Sequence, residues 1–318
     1  MEHWALTFKS EVVNFSFSPY EDIIVSASID GKLTCHNYGS QKPIKLFRKR
    51  ISQDSLRDVI FVDKQIVIVA DSTGELCMID LQTEMVIKRI AAHDIGISCM
   101  AKAEDFTFVT GDDDGEIKLW DYRTKGLIKH YQSTTDYITD FRYVKHKKTL
   151  LASSGEGSLS VFDVRKDEMY AQSEQYDDAM LSLSIVKNCE KVLCGSQLGA
   201  IDVYKWGYWG EICDRFLGHP ESVDVLCEID DNIVLSGSGD GLVRVLEISP
   251  NKMLGVLGTH EYPIECIEIS YDKKFAASLS HDRSIKFWSI EDFYETDSVK
   301  NVKKQFTPRE DSFFSEID

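Results

Sequence analysis

No apolar run in this chain approaches the length of a membrane span. The longest, Ile66-Val67-Ile68-Val69-Ala70, falls far short of the roughly 18 residues that a crossing helix needs. The N-terminus, MEHWALTFKS, lacks the basic start and apolar stretch of a secretory signal, so an intracellular protein is expected. Eight cysteines are present, yet none form a C-x-x-C pair, which removes the common zinc and dithiol frameworks. Cys35, Cys77, Cys99, Cys194, Cys227 and Cys266 sit inside strand-like apolar runs, as small reduced core residues do. Basic charge is scarce: 36 Lys and Arg against 53 Asp and Glu leave a net charge of −17. A field of that sign repels phosphate backbones at long range and disfavours RNA binding by the surface as a whole. A local basic patch, or a basic protein partner, stays compatible with it.

Motifs of catalysis are missing too. Gly237-Ser238-Gly239-Asp240-Gly241 resembles a phosphate-cradling loop, but the alternating strand LVRVLEI follows it where a helix N-terminus is required. Asp112-Asp113-Asp114 lacks the spacing and closing Glu of a calcium loop. The histidines show no H-E-x-x-H spacing, and no Ser, Cys or His stands in a nucleophile motif. The expectation is no enzyme, no metal and no cofactor.

What the chain does have is a repeat. The segment TGDDDGEIKLWD (110–121) returns as SASIDGKLTCHN, ADSTGELCMID, SSGEGSLSVFD, GSQLGAIDVYK, SGSGDGLVRVLE and SLSHDRSIKFWS. Its turn position falls at Gly31, Gly74, Gly115, Gly157, Gly199, Gly241 and Arg283, with successive gaps of 43, 41, 42, 42, 42 and 42 residues. That period is the length of a four-stranded propeller blade, about 40–45 residues. Glycine supplies the positive φ of a tight hairpin turn, so Arg283 should need a different or strained turn. Six units carry a further strand after the Trp-Asp position, whereas the seventh runs into EDFYETDSVK; the N-terminus holds a spare strand, Trp4–Phe8. The reading is an all-β, seven-bladed propeller over residues 1–290, closed by that N-terminal strand and monomeric. A tail, residues 291–318, follows it.

These units resemble the WD-repeat family. In such blades a buried His, Ser or Thr, Asp and Trp form a hydrogen-bonded chain. The resemblance puts His93, Thr110, Asp114 and Trp120 in that role in the third blade, and His260, Ser278, Asp282 and Trp288 in the seventh. The sixth has His219, Ser236 and Asp240 but Leu246 for Trp, while Ile79, Phe162 and Tyr204 hold the Trp position in blades two, four and five. With Asp114 so committed, Asp112 and Asp113 remain as solvated or partner-facing acids. The run from Cys194 to Phe216 and the weak sixth blade are more specifically similar to the WD repeat-containing protein 55 family. That resemblance implies a non-catalytic nucleolar protein of ribosomal RNA production and ribosome assembly, with pre-ribosomal proteins as partners.

Binding residues are expected on loops around the ring. Tyr137, Thr139, Asp113, His281, Glu265 and Asp224 should fall on the narrower face. The aromatic stretch 203–210, with Trp206, Tyr208 and Trp209, is a candidate patch on the wider face. The runs 42–50 and 145–148 are locally basic, read either as solvated surface or as contacts for RNA or an acidic partner. Finally, Trp120-Asp121-Tyr122-Arg123 and Phe162-Asp163-Val164-Arg165 resemble the blade ends of cullin-4 ligase receptors, which would make Arg123 and Arg165 adaptor-docking residues.

Overall fold

Each repeat unit has alternating apolar strands joined by glycine or polar turns, and a lone four-stranded sheet of this kind leaves both faces unburied. The chain resolves this by stacking. The structure, a computed structural model, describes residues 2–293 apart from 40, 41, 125, 133 and 167. It contains seven four-stranded antiparallel sheets, six of them built from consecutive strands. Within a blade we name the strands a to d from the centre of the ring outward. In the seventh blade Ile264–Ile269, Phe275–Ser280 and Ser284–Ser289 are strands a to c, and the N-terminal strand Glu2–Thr7 supplies strand d by pairing antiparallel with Ser284–Ser289. The closure expected from the spare strand is therefore the closure found. Trp4 seals the joint, its ring stacked 3.5 Å from that of Phe287.

The chain continues in order beyond the expected boundary at residue 290. A short 3₁₀ turn, Glu291–Phe293, buries Phe293 beside Ile290 and Ile229. The tail from residue 294 onward lies outside the described residues. Among the described residues, no helix is long and apolar enough to cross a membrane.

Apolar clusters fill the spaces between neighbouring blades. One joins Val69 and Ile79 of blade two to Val25 and Leu33 of blade one; another joins Leu151 and Val161 of blade four to Leu183 and Tyr204 of blade five. All eight cysteines are free thiols. The hairpin turns hold positive φ at all six glycines, and Gly115 shows why: a Cβ there would lie 2.4 Å from Thr134 Oγ1. Arg283 adopts the same left-handed conformation at φ 63°. Its blade thus keeps the common turn and bears the local cost, about 1–2 kcal/mol.

The channel wall is polar. Every strand a carries a register shift at the equivalent place, for instance between Leu56 and Asp58 and between Ile138 and Asp140. Side chains at these shifts stitch one blade to the next. Asp58 accepts from Asn14 Nδ2 of blade one at 2.7 Å and from the Met100 N–H of blade three at 2.5 Å. Asp140 accepts from the Leu183 N–H at 2.9 Å, and Glu268 from the Phe17 N–H at 2.8 Å, tying the seventh blade to the first. Arg142 donates to Asp140 at 2.7 Å and to the Leu226 carbonyl of blade six at 3.3 Å.

Burial raises the Glu268 carboxyl to about 7, opposed by the Phe17 N–H and reinforced by Asp58. A carboxyl whose folded pKa lies above its unfolded value binds more protons when folded, so stability falls as pH rises between about 4.5 and 7. Glu268→Gln should therefore raise the melting temperature at pH 8 by about 2–3 °C and change little at pH 4.5. Melts followed by circular dichroism check this, and an equal shift at both pH values would refute it.

Candidate interaction faces

Each strand b ends in a turn whose backbone N–H groups need acceptors, and each neighbouring strand d delivers a side chain beneath that turn. Blade seven solves both needs with Asp282. Its Oδ1 accepts from the Ser284 N–H at 2.9 Å, and its Oδ2 meets His260 Nδ1 at 2.7 Å. His260 Nε2 lies 2.7 Å from Ser278 Oγ, which accepts from Trp288 Nε1 at 2.8 Å. In blade three the structure brings together His93, Thr110 and Trp120, at 2.7 and 2.9 Å through Thr110 Oγ1.

Asp114 does not join them. It stands exposed at the tip of the turn, and Asp112 takes the role: Oδ1 caps the N–H groups of Asp114 and Glu116, and Oδ2 meets His93 Nδ1 at 2.8 Å. Asp112 is therefore buried structure, not a solvated or partner-facing acid. The reason is geometric. A residue ending strand b lies directly under the turn, and blade seven has Ser280 there, so its carboxylate must come from two positions later. Blade two repeats the Asp112 arrangement with Asp71, which caps Thr73 and Glu75 and accepts from Ser52 Oγ at 2.8 Å. Two aspartates two residues apart look interchangeable in the repeat; strand direction separates them.

Around His93 the ligand atoms of His93, Asp112 and Glu116 lie within 4.8 Å of one another, a spacing open to a metal ion. The Glu116 carboxylate there already faces Lys118 Nζ at 2.6 Å and His130 Nε2 at 2.8 Å. In blade six His219 reaches Ser236 Oγ at 2.8 Å, but Asp240 turns instead to Arg244. Among the described residues His219 Nδ1 has no hydrogen-bond partner, and burial, with Arg244 adding to it, pushes His219 down to about 4.

The narrow face carries the d–a loops and b–c turns. Three of the residues expected to bind partners, from blades six and seven, converge there with Glu11 beside blade one. His281 lies between Glu11 at 2.5 Å and Glu265 at 2.8 Å; burial opposes its charge, but the two carboxylates prevail and raise its pKa. Burial, with Glu265 and Glu221 close by, pushes Asp224 up to about 6. The other three lie apart. Asp113 pairs with Arg57 of blade two at 3.4 Å. Tyr137 is exposed, its ring resting over Gly155, where a Cβ would stand 2.3 Å from Cε1. Thr139 is half-buried and donates to the Met180 carbonyl of blade five at 2.6 Å, which makes it an inter-blade contact.

The wide face carries the a–b turns and c–d connections. Of the three aromatic residues expected there, Trp209 is buried in the cluster between blades four and five. It therefore anchors the loop and is no surface contact. Trp206 is half-buried against it at 5.0 Å, and Tyr208 is 69% exposed. Arg123 and Arg165 are both exposed, each forked onto the aspartate two residues before it, at 2.7 Å to Asp121 and 2.7 Å to Asp163. Lys147 of the basic run 145–148 sits 3.9 Å over the Trp206 ring and links that run to the aromatic loop, a contact with no sign in the sequence.

The Asp112 assignment has a direct check. Asp112→Ala should cost about 1–3 kcal/mol by leaving His93 and two turn N–H groups without their acceptor, and Asp114→Ala should stay within about 0.5 kcal/mol of zero. Urea denaturation of both variants decides it; equal losses would return the role to Asp114.

Comparison with known proteins fits this geometry. The WDR55 family model matches residues 4–293. WD repeat-containing protein 55 of Arabidopsis thaliana is 32% identical over 90% of this chain and 82% of its own length. WD repeat-containing protein JIP5 of Coprinopsis cinerea is 37% identical over 91% and 74%. The WD repeat-containing protein 55 homolog of Dictyostelium discoideum is 34% identical over 92% and 72%. Among solved structures, the computationally designed Ika8 protein superposes with a TM-score of 0.73 at 21% identity, covering 91% of this chain and 99% of that one, a likeness of fold alone. With strands, closure and turns of a seven-bladed ring and relatives above 30% identity along nearly all of it, the chain belongs to the WD repeat-containing protein 55 family.

Proposed function

We propose that this protein is a non-catalytic scaffold of nucleolar ribosomal RNA production and large-subunit assembly, holding pre-ribosomal proteins on its loop faces. The observation that carries the scaffold reading is the commitment of its buried and half-buried polar groups. The His93 and His260 chains, Asp58, Asp140 and Glu268 all hold strands, turns or neighbouring blades. The exposed loops, by contrast, present paired charges and aromatic rings on a rigid ring, which suits recognition. The ribosomal setting and the nucleolar location rest on the family resemblance, since fold by itself names no partner. A tagged chain purified from nuclear extract after RNase treatment should retain large-subunit assembly factors, scored by mass spectrometry. Their absence from that fraction would remove the reading.

A second reading, a cullin-4 ligase receptor, is favoured by one observation. Arg123 and Arg165 occupy equivalent positions on adjacent blades and are exposed on the same face. If it holds, the double variant Arg123→Ala, Arg165→Ala should lose the ligase adaptor in pull-down while retaining assembly factors. Unchanged adaptor recovery would set that reading aside.

A further inference from the structure

The charge of −17 describes the whole chain, but a ligand at a surface responds to the charge within a Debye length, about 8 Å at physiological salt. The fold does not spread its charge evenly. Among the described residues, four cation–ring contacts occur, and all four lie on the wide face of blades three to five. Arg123 sits 4.0 Å over Phe106, Lys147 3.9 Å over Trp206, Lys166 5.8 Å from Tyr170 and Lys205 5.0 Å from Tyr208. Lys145 and Lys148 are paired with Asp105 and Glu104. Lys147, Lys166 and Lys205 make no ion pair among the described residues.

Local backbone features assemble this patch. The c–d connection of blade five runs over residues 206–213, whereas that of blade two needs only 81–84. The extra length carries Trp206 and Tyr208 outward while buried Trp209 anchors the loop. On the facing side, Lys187, Asn188 and Cys189 take left-handed conformations in succession, at φ 56°, 51° and 61°. That strained turn presents the Cys189 carbonyl to Lys147 Nζ at 3.1 Å, holding the ammonium at the Trp206 ring. Between the two blades lies a groove of about 420 Å³, walled by Lys147, Arg165, Tyr170 and Trp206. Its one lining carboxylate among the described residues, Asp163, is already held by Arg165.

We propose that this groove and its rim bind single-stranded RNA, with bases stacked on Tyr170, Trp206 and Tyr208 and phosphates met by Lys147, Lys166 and Lys205. The ligand that matches a row of ring-and-ammonium pairs must alternate planar and anionic groups. A single strand does so at every nucleotide, and every base has a face that stacks on an aromatic ring. A duplex hides its base faces and fits poorly. An acidic peptide would satisfy the ammoniums but leave Tyr170, 61% exposed, and Tyr208 uncovered. The site goes beyond the protein-scaffold reading; only the choice of RNA over single-stranded DNA rests on the ribosomal setting.

Fluorescence anisotropy of the purified full chain with a fluorescein-labelled, unstructured 12-nucleotide RNA tests this. Binding should be micromolar in order and weaken roughly twentyfold from 50 to 200 mM KCl, as expected for about three phosphate contacts. The triple variant Lys147→Glu, Lys166→Glu, Lys205→Glu and the ring variant Tyr170→Ala, Tyr208→Ala should each lose at least tenfold, with melting curves unchanged. Lys9→Glu, on the narrow face, should bind as the parent does. Four outcomes overturn the proposal: no binding at 50 mM KCl, variants that bind as the parent does, tighter binding of the matching DNA, or displacement of the RNA by an equimolar glutamate-rich peptide. Each is independent of the RNase-treated purification, so the RNA site and the scaffold reading can fail separately.

Discussion

The pairing of Glu2–Thr7 with Ser284–Ser289 is the contact on which everything else depends. Seven sheets that each bury their faces against neighbours form a stable object only if the first and last also have neighbours. Without this pairing, strand c of blade seven would be an open edge, a template for another chain. The closure also joins residues nearly the whole chain apart, which carries a loop-entropy cost. Trp4 on Phe287, together with Glu268 reaching Phe17 between blades seven and one, shows how that cost is offset by aromatic packing outside and a hydrogen bond inside.

Closure sets the conditions for the polar channel. Strands a converge at the centre, where their inner edges are not paired by backbone and N–H groups there need acceptors. Asp58, Asp140 and Glu268 meet that need from neighbouring blades, which is why carboxyls stand where an apolar core would otherwise be expected. Burial, reinforced by a neighbouring carboxylate, pushes Asp58 and Glu268 up to about 7. Acids of this kind invite a catalytic interpretation; here each has a structural partner that accounts for it.

The two faces carry different charge clusters. Glu11 and Glu265 flank His281 on the narrow face, with Asp224 close by, whereas Lys147, Lys166 and Lys205 stand beside aromatic rings on the wide one. A single net charge averages two faces that a partner would meet separately. A basic protein segment and a single strand of RNA are therefore compatible ligands of one molecule, at opposite ends of the channel.

Much of the architecture was legible from residues alone, because a blade is a local object. Turn glycines 41–43 residues apart, alternating strands and a spare strand before the first turn require seven blades and a terminal closure, whatever the distant contacts are. The His–Ser–Asp–Trp chain of blade seven was legible through the resemblance to WD repeats. What the repeat could not say was which of two aspartates faces His93, whether Trp209 is covered, that Thr139 reaches blade five, or that Lys147 sits on Trp206. Those depend on atoms brought together by the stacking of one blade on another: His93 and Asp112 across 19 residues, Lys147 and Cys189 across 42. Periodicity along the chain sets the number and shape of the blades. Only the packed ring, where distances between blades are decided, sets which side chains meet and which remain free to meet something else.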